Sequence, residues 1–197
     1  MCAIVGSFNR DKLKELFEIN AYRGQLSYSL ASFKTNSELQ VVMKDKGKMP
    51  DYFMDEFPES DFYIGHTQAP TTESSNIHPA VNHEGDFLWH NGIIKQGKFK
   101  GKWDTEWLLN TVINKGFESL SDVDGTFACV LYHNKQLFIF RNEISPLFYD
   151  YDLNISSTKF KDAISLPANT VFELDLINKQ IKEVMSFKTK ENPYYFG

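Results

Sequence analysis

The feature that most narrows the fold is a hairpin written between residues 126 and 141. Two apolar runs, 126–133 and 136–141, flank His133-Asn134-Lys135. A short polar turn between such runs marks two antiparallel strands. The same grammar recurs through the C-terminal half, where 147–150, 154–157, 171–176 and 180–184 each read as a short strand. Residues 3–8 are a short apolar run ending near Gly6-Ser7 and read as a buried strand. Residues 28–33 and 38–44 form a strand pair, and 61–67 and 86–94 are further strands, the last interrupted at Asn91-Gly92. Residues 68–84 carry Pro70, Pro79 and many Thr, Ser and Asn residues, which makes them a loop. Leu13, Leu16 and Phe17 predict a helix over 12–20 with Asp11 as its N-cap. Asp104 opens a second helix, with Trp107, Leu108, Thr111 and Val112 along it and Gly116 as its stop. A short helix is expected over 159–165. Two groups of antiparallel strands with two or three helices give an α+β class, with sheets stacked and helices outside.

No internal repeat or low-complexity linker divides the 197 residues, so a single domain over 1–197 is expected. The net charge of −5 gives no support to nucleic-acid binding. No run of 18 apolar residues and no charged leader ahead of an apolar segment occurs, so the expectation is a cytoplasmic chain without membrane contact. The two cysteines, Cys2 and Cys129, do not make a disulfide framework. Cys129 sits in a mostly apolar run and reads as strand core. The five histidines lack zinc-type spacing, so neither a metal nor another cofactor is expected. His66 and His78 flank the loop and read as residues that order it, and His90 reads as a packed strand residue.

Three local features have two readings each. Cys2 is either a buried strand residue or, once Met1 is removed, a thiol carried beside a free α-amino group. An α-amino group with a pKa near ~8 can serve as the base for its own residue's thiol. Asn91-Gly92 is either a two-residue turn or a pair of donors, one side-chain amide and one unobstructed N–H, for a developing oxyanion. Asp104 is either a helix cap or a carboxylate that meets an ammonium group. Arg23, Gln68 and Thr71, in loops or at strand ends, could donate hydrogen bonds to a carboxylate.

Taken in order, the segments resemble the class II, N-terminal-nucleophile, glutamine amidotransferases. The segments are Met1-Cys2-Ala3-Ile4-Val5-Gly6, Tyr22-Arg23-Gly24 with Ser27, Gly65-His66-Thr67-Gln68-Ala69-Pro70-Thr71, Asn76-Ile77-His78-Pro79, His90-Asn91-Gly92-Ile93-Ile94 and Trp103-Asp104-Thr105-Glu106. Later landmarks continue the likeness: Asp124-Gly125-Thr126-Phe127-Ala128, Phe140-Arg141-Asn142, Ser145-Pro146-Leu147-Phe148-Tyr149, Ile155-Ser156-Ser157-Thr158 and Leu166-Pro167-Ala168-Asn169-Thr170. The resemblance implies a four-layer αββα sandwich that hydrolyses L-glutamine to glutamate and ammonia. It implies Cys2 as nucleophile, with Asn91 and Gly92 on the oxyanion. Arg23, Gln68, Thr71, His78 and Asp104 form the implied substrate-binding set. Within it Asp104 meets the ammonium, and Arg23 orders the N-terminus.

The likeness uses nearly the whole chain, so the ammonia is expected to go to a separate synthase subunit. Three residues depart from the pattern. Gln68 stands where the family has an arginine for the substrate carboxylate, Leu26 stands for an aspartate, and Ala3 stands for a glycine. These departures leave three readings open: a weakened site, a site retuned to another amide, or a site supplied with a cation from elsewhere, with Lys95 and Arg141 as the candidates.

Overall fold

The computed structural model of the chain describes residues 2–69, 76–95 and 103–189. Its elements run β1 (Ala3–Ser7), α1 (Arg10–Ile19), β2 (Ser27–Phe33), β3 (Leu39–Lys46), α2 (Phe53–Glu56), β4 (Phe62–Gln68), β5 (Ala80–Val81) and β6 (Phe87–Ile94). They continue with α3 (Asp104–Lys115), β7 (Gly125–His133), β8 (Gln136–Arg141), β9 (Phe148–Tyr149), β10 (Ile155–Ser156), β11 (Ile164–Ser165), β12 (Thr170–Asp175) and β13 (Gln180–Ser186). One sheet has the order β11-β9-β10-β1-β4-β2-β3, the other β13-β12-β8-β7-β6-β5. The pairings are antiparallel.

Side-chain alternation along the strands builds three apolar layers. Ile4, Ala31, Phe33, Phe62, Ile64, Trp89, Ala128, Val130 and Ile139 fill the space between the sheets. Val5, Leu30 and Tyr63 turn the other way and bury Leu13, Leu16 and Phe17 of α1. On the far side Phe127, Cys129, Leu131 and Phe140 bury Leu108, Leu109 and Val112 of α3. The order is helix, sheet, sheet, helix, the α+β sandwich expected. Cys129 lies in the outer layer with no exposure, as its apolar context indicates.

The hairpin forms as read. Asn134 and Lys135 occupy positive φ, at 51° and 60°, and join β7 to β8 in a two-residue turn. Elsewhere the structure amends the reading. Asn9, not Asp11, caps α1, its side chain accepting from the Lys12 N–H at 2.9 Å. Residues 159–165 are not a helix. Phe160 and Ala163 do point into the α1 layer at a helix-like spacing, but Asp162 sits at φ 63° and the chain leaves the turn as β11. Asn91-Gly92 is not a turn either. It lies inside β6, opposite Ala128 and Phe127 of β7. The 68–84 segment contributes β5 to the sheet edge; its residues 70–75, with Thr71, lie outside the described part. Among the described residues no helix is long and apolar enough to cross a membrane.

Candidate active site

Cys2 precedes β1, the strand held between β4 and β10. Ile4 belongs to the inter-sheet core and Val5 to the helix-side layer. Period-two alternation therefore aims Cys2 at the space between the sheets. It is 5% exposed and unpaired. Burial pushes its thiol pKa up, and the Asp104 carboxylate adds to the rise. The Ala69 N–H, hydrogen-bonded to the sulfur, and the Arg23 charge act against it. At neutral pH the thiol is therefore protonated and needs a base before it can attack.

Arg23 is buried and its Nε donates to the Cys2 carbonyl at 2.9 Å. The next residue is pressed against the strand that carries Gln68. A Cβ on Gly24 would lie 2.4 Å from the Ala69 nitrogen and the Gln68 carbonyl carbon. Only a glycine lets this segment approach so closely. Gln68 ends β4 and is 6% exposed. The Ser27 hydroxyl donates to its Oε1 at 2.7 Å, which leaves the Nε2 donors for another partner.

Asn91 and Gly92 come from β6, in the facing sheet. Gly92 has φ 151°, and a Cβ there would sit 1.9 Å from the Thr126 carbonyl oxygen. No other residue fits, because the obstacle is the backbone of the paired strand. Asn91 is buried and its Nδ2 donates to Ser157 Oγ at 3.3 Å. Two residues beyond Gly92, the Ile94 N–H donates to Asp104 Oδ2 at 3.3 Å. Asp104 is the first residue of α3, and its Oδ1 accepts from the Thr105 N–H at 2.8 Å. Trp103, not Asp104, occupies the N-cap position of α3; the Asp104 carboxylate is fixed between β6 and the helix start, and its charge raises the Cys2 thiol.

A polar chain runs beneath these groups. His90 Nε2 meets the Thr126 carbonyl at 3.2 Å, so it carries the proton, and its Nδ1 accepts from the Thr105 hydroxyl at 3.1 Å. The Thr105 oxygen in turn accepts from His78 Nε2 at 3.1 Å. His66 Nε2 donates to the His90 carbonyl at 3.2 Å, across the two sheets. The three rings are neutral: burial lowers the pKa of each, that of His66 to about 3. His78 stacks on His66 and meets Trp103 edge-on, with centroids 4.6 Å apart in the latter pair. His78 thus lies behind Thr105, where it orients the start of α3. Its Nδ1 has no partner among the described residues. Among them, too, no three His, Cys, Asp or Glu side chains are grouped to hold a metal ion.

The structure brings together Cys2, Arg23, Gln68, Asn91, Gly92 and Asp104. Thr71 lies outside the described residues. Arg141 is not a cation for this site: its guanidinium donates to the carbonyls of Leu166, Asn142 and Ser145 and to the Ser165 hydroxyl. Lys95 directly follows Ile94 and is exposed. Sequence reasoning missed the parts of Ser27, Ser157 and Thr105. For Ser27 the available signal was a polar residue within an apolar strand, where it must find a partner; Ser157, just past β10, and Thr105, in α3, offered none.

The family profile described as a glutamine amidotransferase domain matches residues 88–196. Among solved structures, glutamine phosphoribosylpyrophosphate (PRPP) amidotransferase from B. subtilis, complexed with ADP and GMP, is similar with a TM-score of 0.69. It shares 16% identity, over 93% of this chain and 49% of that one. The structure of the allosteric regulatory enzyme of purine biosynthesis gives a TM-score of 0.66 at 13% identity, over 93% of this chain and 48% of that one. The chain spans about half the length of these structures. No curated protein matches it.

Proposed function

The chain belongs to the glutamine amidotransferase domain family, and from that premise we propose that it is a class II member that hydrolyses L-glutamine to glutamate and ammonia through a Cys2 thioester. The observation that carries this reading is a buried protonated thiol aimed between the sheets, with the Asn91 amide of the opposite sheet bonded to Ser157, which is bonded in turn to Ile4 on the strand that follows Cys2. With Met1 removed, the α-amine of Cys2 takes the thiol proton. The thiolate adds to the side-chain amide carbon of glutamine. The oxyanion that forms accepts from Asn91 Nδ2 and the Gly92 N–H. The α-ammonium returns its proton to the amide nitrogen, ammonia leaves, and a γ-glutamyl thioester remains. Water, deprotonated by the same amine, adds to the thioester, and glutamate departs as the thiol is restored. Asp104 pairs with the substrate ammonium, while Arg23 holds the Cys2 carbonyl. Gln68 receives the carboxylate, with Thr71 proposed as a further donor to it, and His78 supports Asp104 through Thr105.

In this proposal the ammonia passes to a separate synthase subunit. Glutamine-dependent glutamate release by Met1-processed protein, lost in Cys2→Ala, tests the chemistry. A glutamine analogue should label Cys2, mapped by mass. No release with or without a partner overturns the proposal.

One observation favours a second reading, hydrolysis of another amide. Gln68 is held by Ser27 and meets a substrate with a dipole rather than a charge. A charge-assisted bond is worth about 1.5–3 kcal/mol, or ~10–150-fold in affinity. Trapping of thioesters across a panel of amides separates the two.

A further inference from the structure

Ser157 joins the two halves of the site. Its N–H donates to the Ile4 carbonyl at 2.9 Å, and its hydroxyl oxygen accepts from the Ile4 N–H, also at 2.9 Å. Ile4 lies two residues beyond Cys2. The same oxygen accepts from Asn91 Nδ2 at 3.3 Å. Ser157 itself is 1% exposed. β10 ends at Ser156, so Ser157 is not held by the regular strand ladder; its place on β1 comes from this two-point clamp.

A hydroxyl has two lone pairs and one proton. Here both lone pairs receive a donor, one from each sheet. The terminal torsion of an asparagine is broad and nearly two-fold. An unanchored Asn91 amide could present its oxygen as readily as its nitrogen. An oxygen aimed at a developing oxyanion would repel it. The Ser157 bond holds one Nδ2 hydrogen and leaves the second for another acceptor.

Resting on the proposed glutamine hydrolysis, we propose that Ser157 is a positioning residue: it sets the Asn91 amide, nitrogen inward, in register with the strand that carries the nucleophile. It touches neither substrate nor thiol. Its contribution belongs to the step in which the oxyanion forms, not to ground-state binding.

The test compares Ser157→Ala, Ser157→Thr, Asn91→Ala and the double variant Ser157→Ala/Asn91→Ala with wild type. For Ser157→Ala, kcat should fall about tenfold, short of the ~10²–10³-fold that follows loss of an oxyanion donor. KM should stay within about twofold, as expected for an interaction made in the transition state only. The inhibition constant of a glutamine-derived aldehyde, which adds to the thiol as a tetrahedral adduct, should rise in step with the kcat loss. That of L-glutamate should not move. The double variant should be no slower than Asn91→Ala, because the two residues act as one unit. Ser157→Thr, which keeps the hydroxyl, should recover most of the loss.

Unchanged kcat in Ser157→Ala, or losses that multiply in the double variant, would overturn the positioning role while glutamine hydrolysis stands. A wild type that cleaves no glutamine overturns both. If Ser157→Ala fails to fold, Ser157→Cys decides: its weaker acceptor should lower kcat at unchanged KM, and full activity would overturn the inference.

Discussion

The rings of His66 and His78 stack at a centroid distance of 4.1 Å and an interplanar angle of 29°, both wholly inside the protein. Burial, more than the stacking, keeps both imidazoles neutral. With His90 they form a group of three whose folded pKa values lie below the ordinary ~6.5 of an exposed histidine. The unfolded chain binds these protons first. Stability from the group is thus complete above pH ~6.5 and is lost as the pH falls toward about 3, the pKa of His66 in the fold. His66 costs about 1.4 kcal/mol per pH unit in that window, and His78 and His90 add to the loss in the same direction. Urea midpoints measured from pH 7.5 to 4.5 should fall steeply below 6.5, and His78→Gln should flatten the slope. A pH-independent midpoint would contradict this.

Asp104 acts on Cys2 through its charge, so removing the charge should be legible at the thiol. The carboxylate raises the thiol pKa. In Asp104→Asn the pH profile of alkylation by iodoacetamide should therefore move to lower pH. The amide offers one acceptor where the carboxylate offers two, to Ile94 and Thr105. A stability loss of about 1 kcal/mol accompanies it. The KM for glutamine should rise at least tenfold. A profile that stays in place would show that Asp104 and Cys2 are not electrically coupled.

Gly92→Ala places a methyl 1.9 Å from the Thr126 oxygen. The obstacle is paired backbone, so either β6 or β7 must shift. The backbone strain adds ~1–3 kcal/mol, and the total should exceed ~3 kcal/mol, in the range of the most damaging single substitutions. Chemical denaturation checks it, and a loss below about 1 kcal/mol would mean that the two strands part easily.

Gln68→Arg should raise affinity for glutamine about tenfold by adding charge. It also strands the Ser27 hydroxyl, since guanidinium offers no acceptor. Gln68→Arg with Ser27→Ala should therefore outperform the single change. Calorimetric titration into a Cys2→Ser background reads both. Equal or weaker affinity would show that position 68 does not face the carboxylate.

Residue identity left Cys2, Asn91-Gly92 and Asp104 with two readings each, and only their order along the chain, resembling a known family, chose between them. The β7–β8 hairpin was legible by itself, its turn and alternation being local. The strand conformation of Asn91-Gly92 was not. As a dipeptide the pair favours a turn, and only the pairing with Ala128 and Phe127 holds it in a strand. Residues 159–165 misled in the opposite sense: burial of Phe160 and Ala163 against α1 imitates a helical stripe without helical backbone. The cap of α1 shifted from Asp11 to Asn9 because both can cap and the turn geometry chooses. Ser157, Ser27 and Thr105 stayed silent, since a buried serine or threonine gains its role from a partner that is distant in the chain: 153 residues for Ser157 and Ile4.

The full enclosure of Cys129 beneath α3, with its thiol pKa well above the ordinary value, gives the folded protein an unusual reagent profile. A thiol that never ionises and never meets solvent is invisible to electrophiles. To such a reagent the native molecule is a monothiol. Titration with an aromatic disulfide should release one equivalent of chromophore from folded protein and a second only in denaturant. The interval between the two equivalents then clocks the opening of the outer helix layer, with no label introduced.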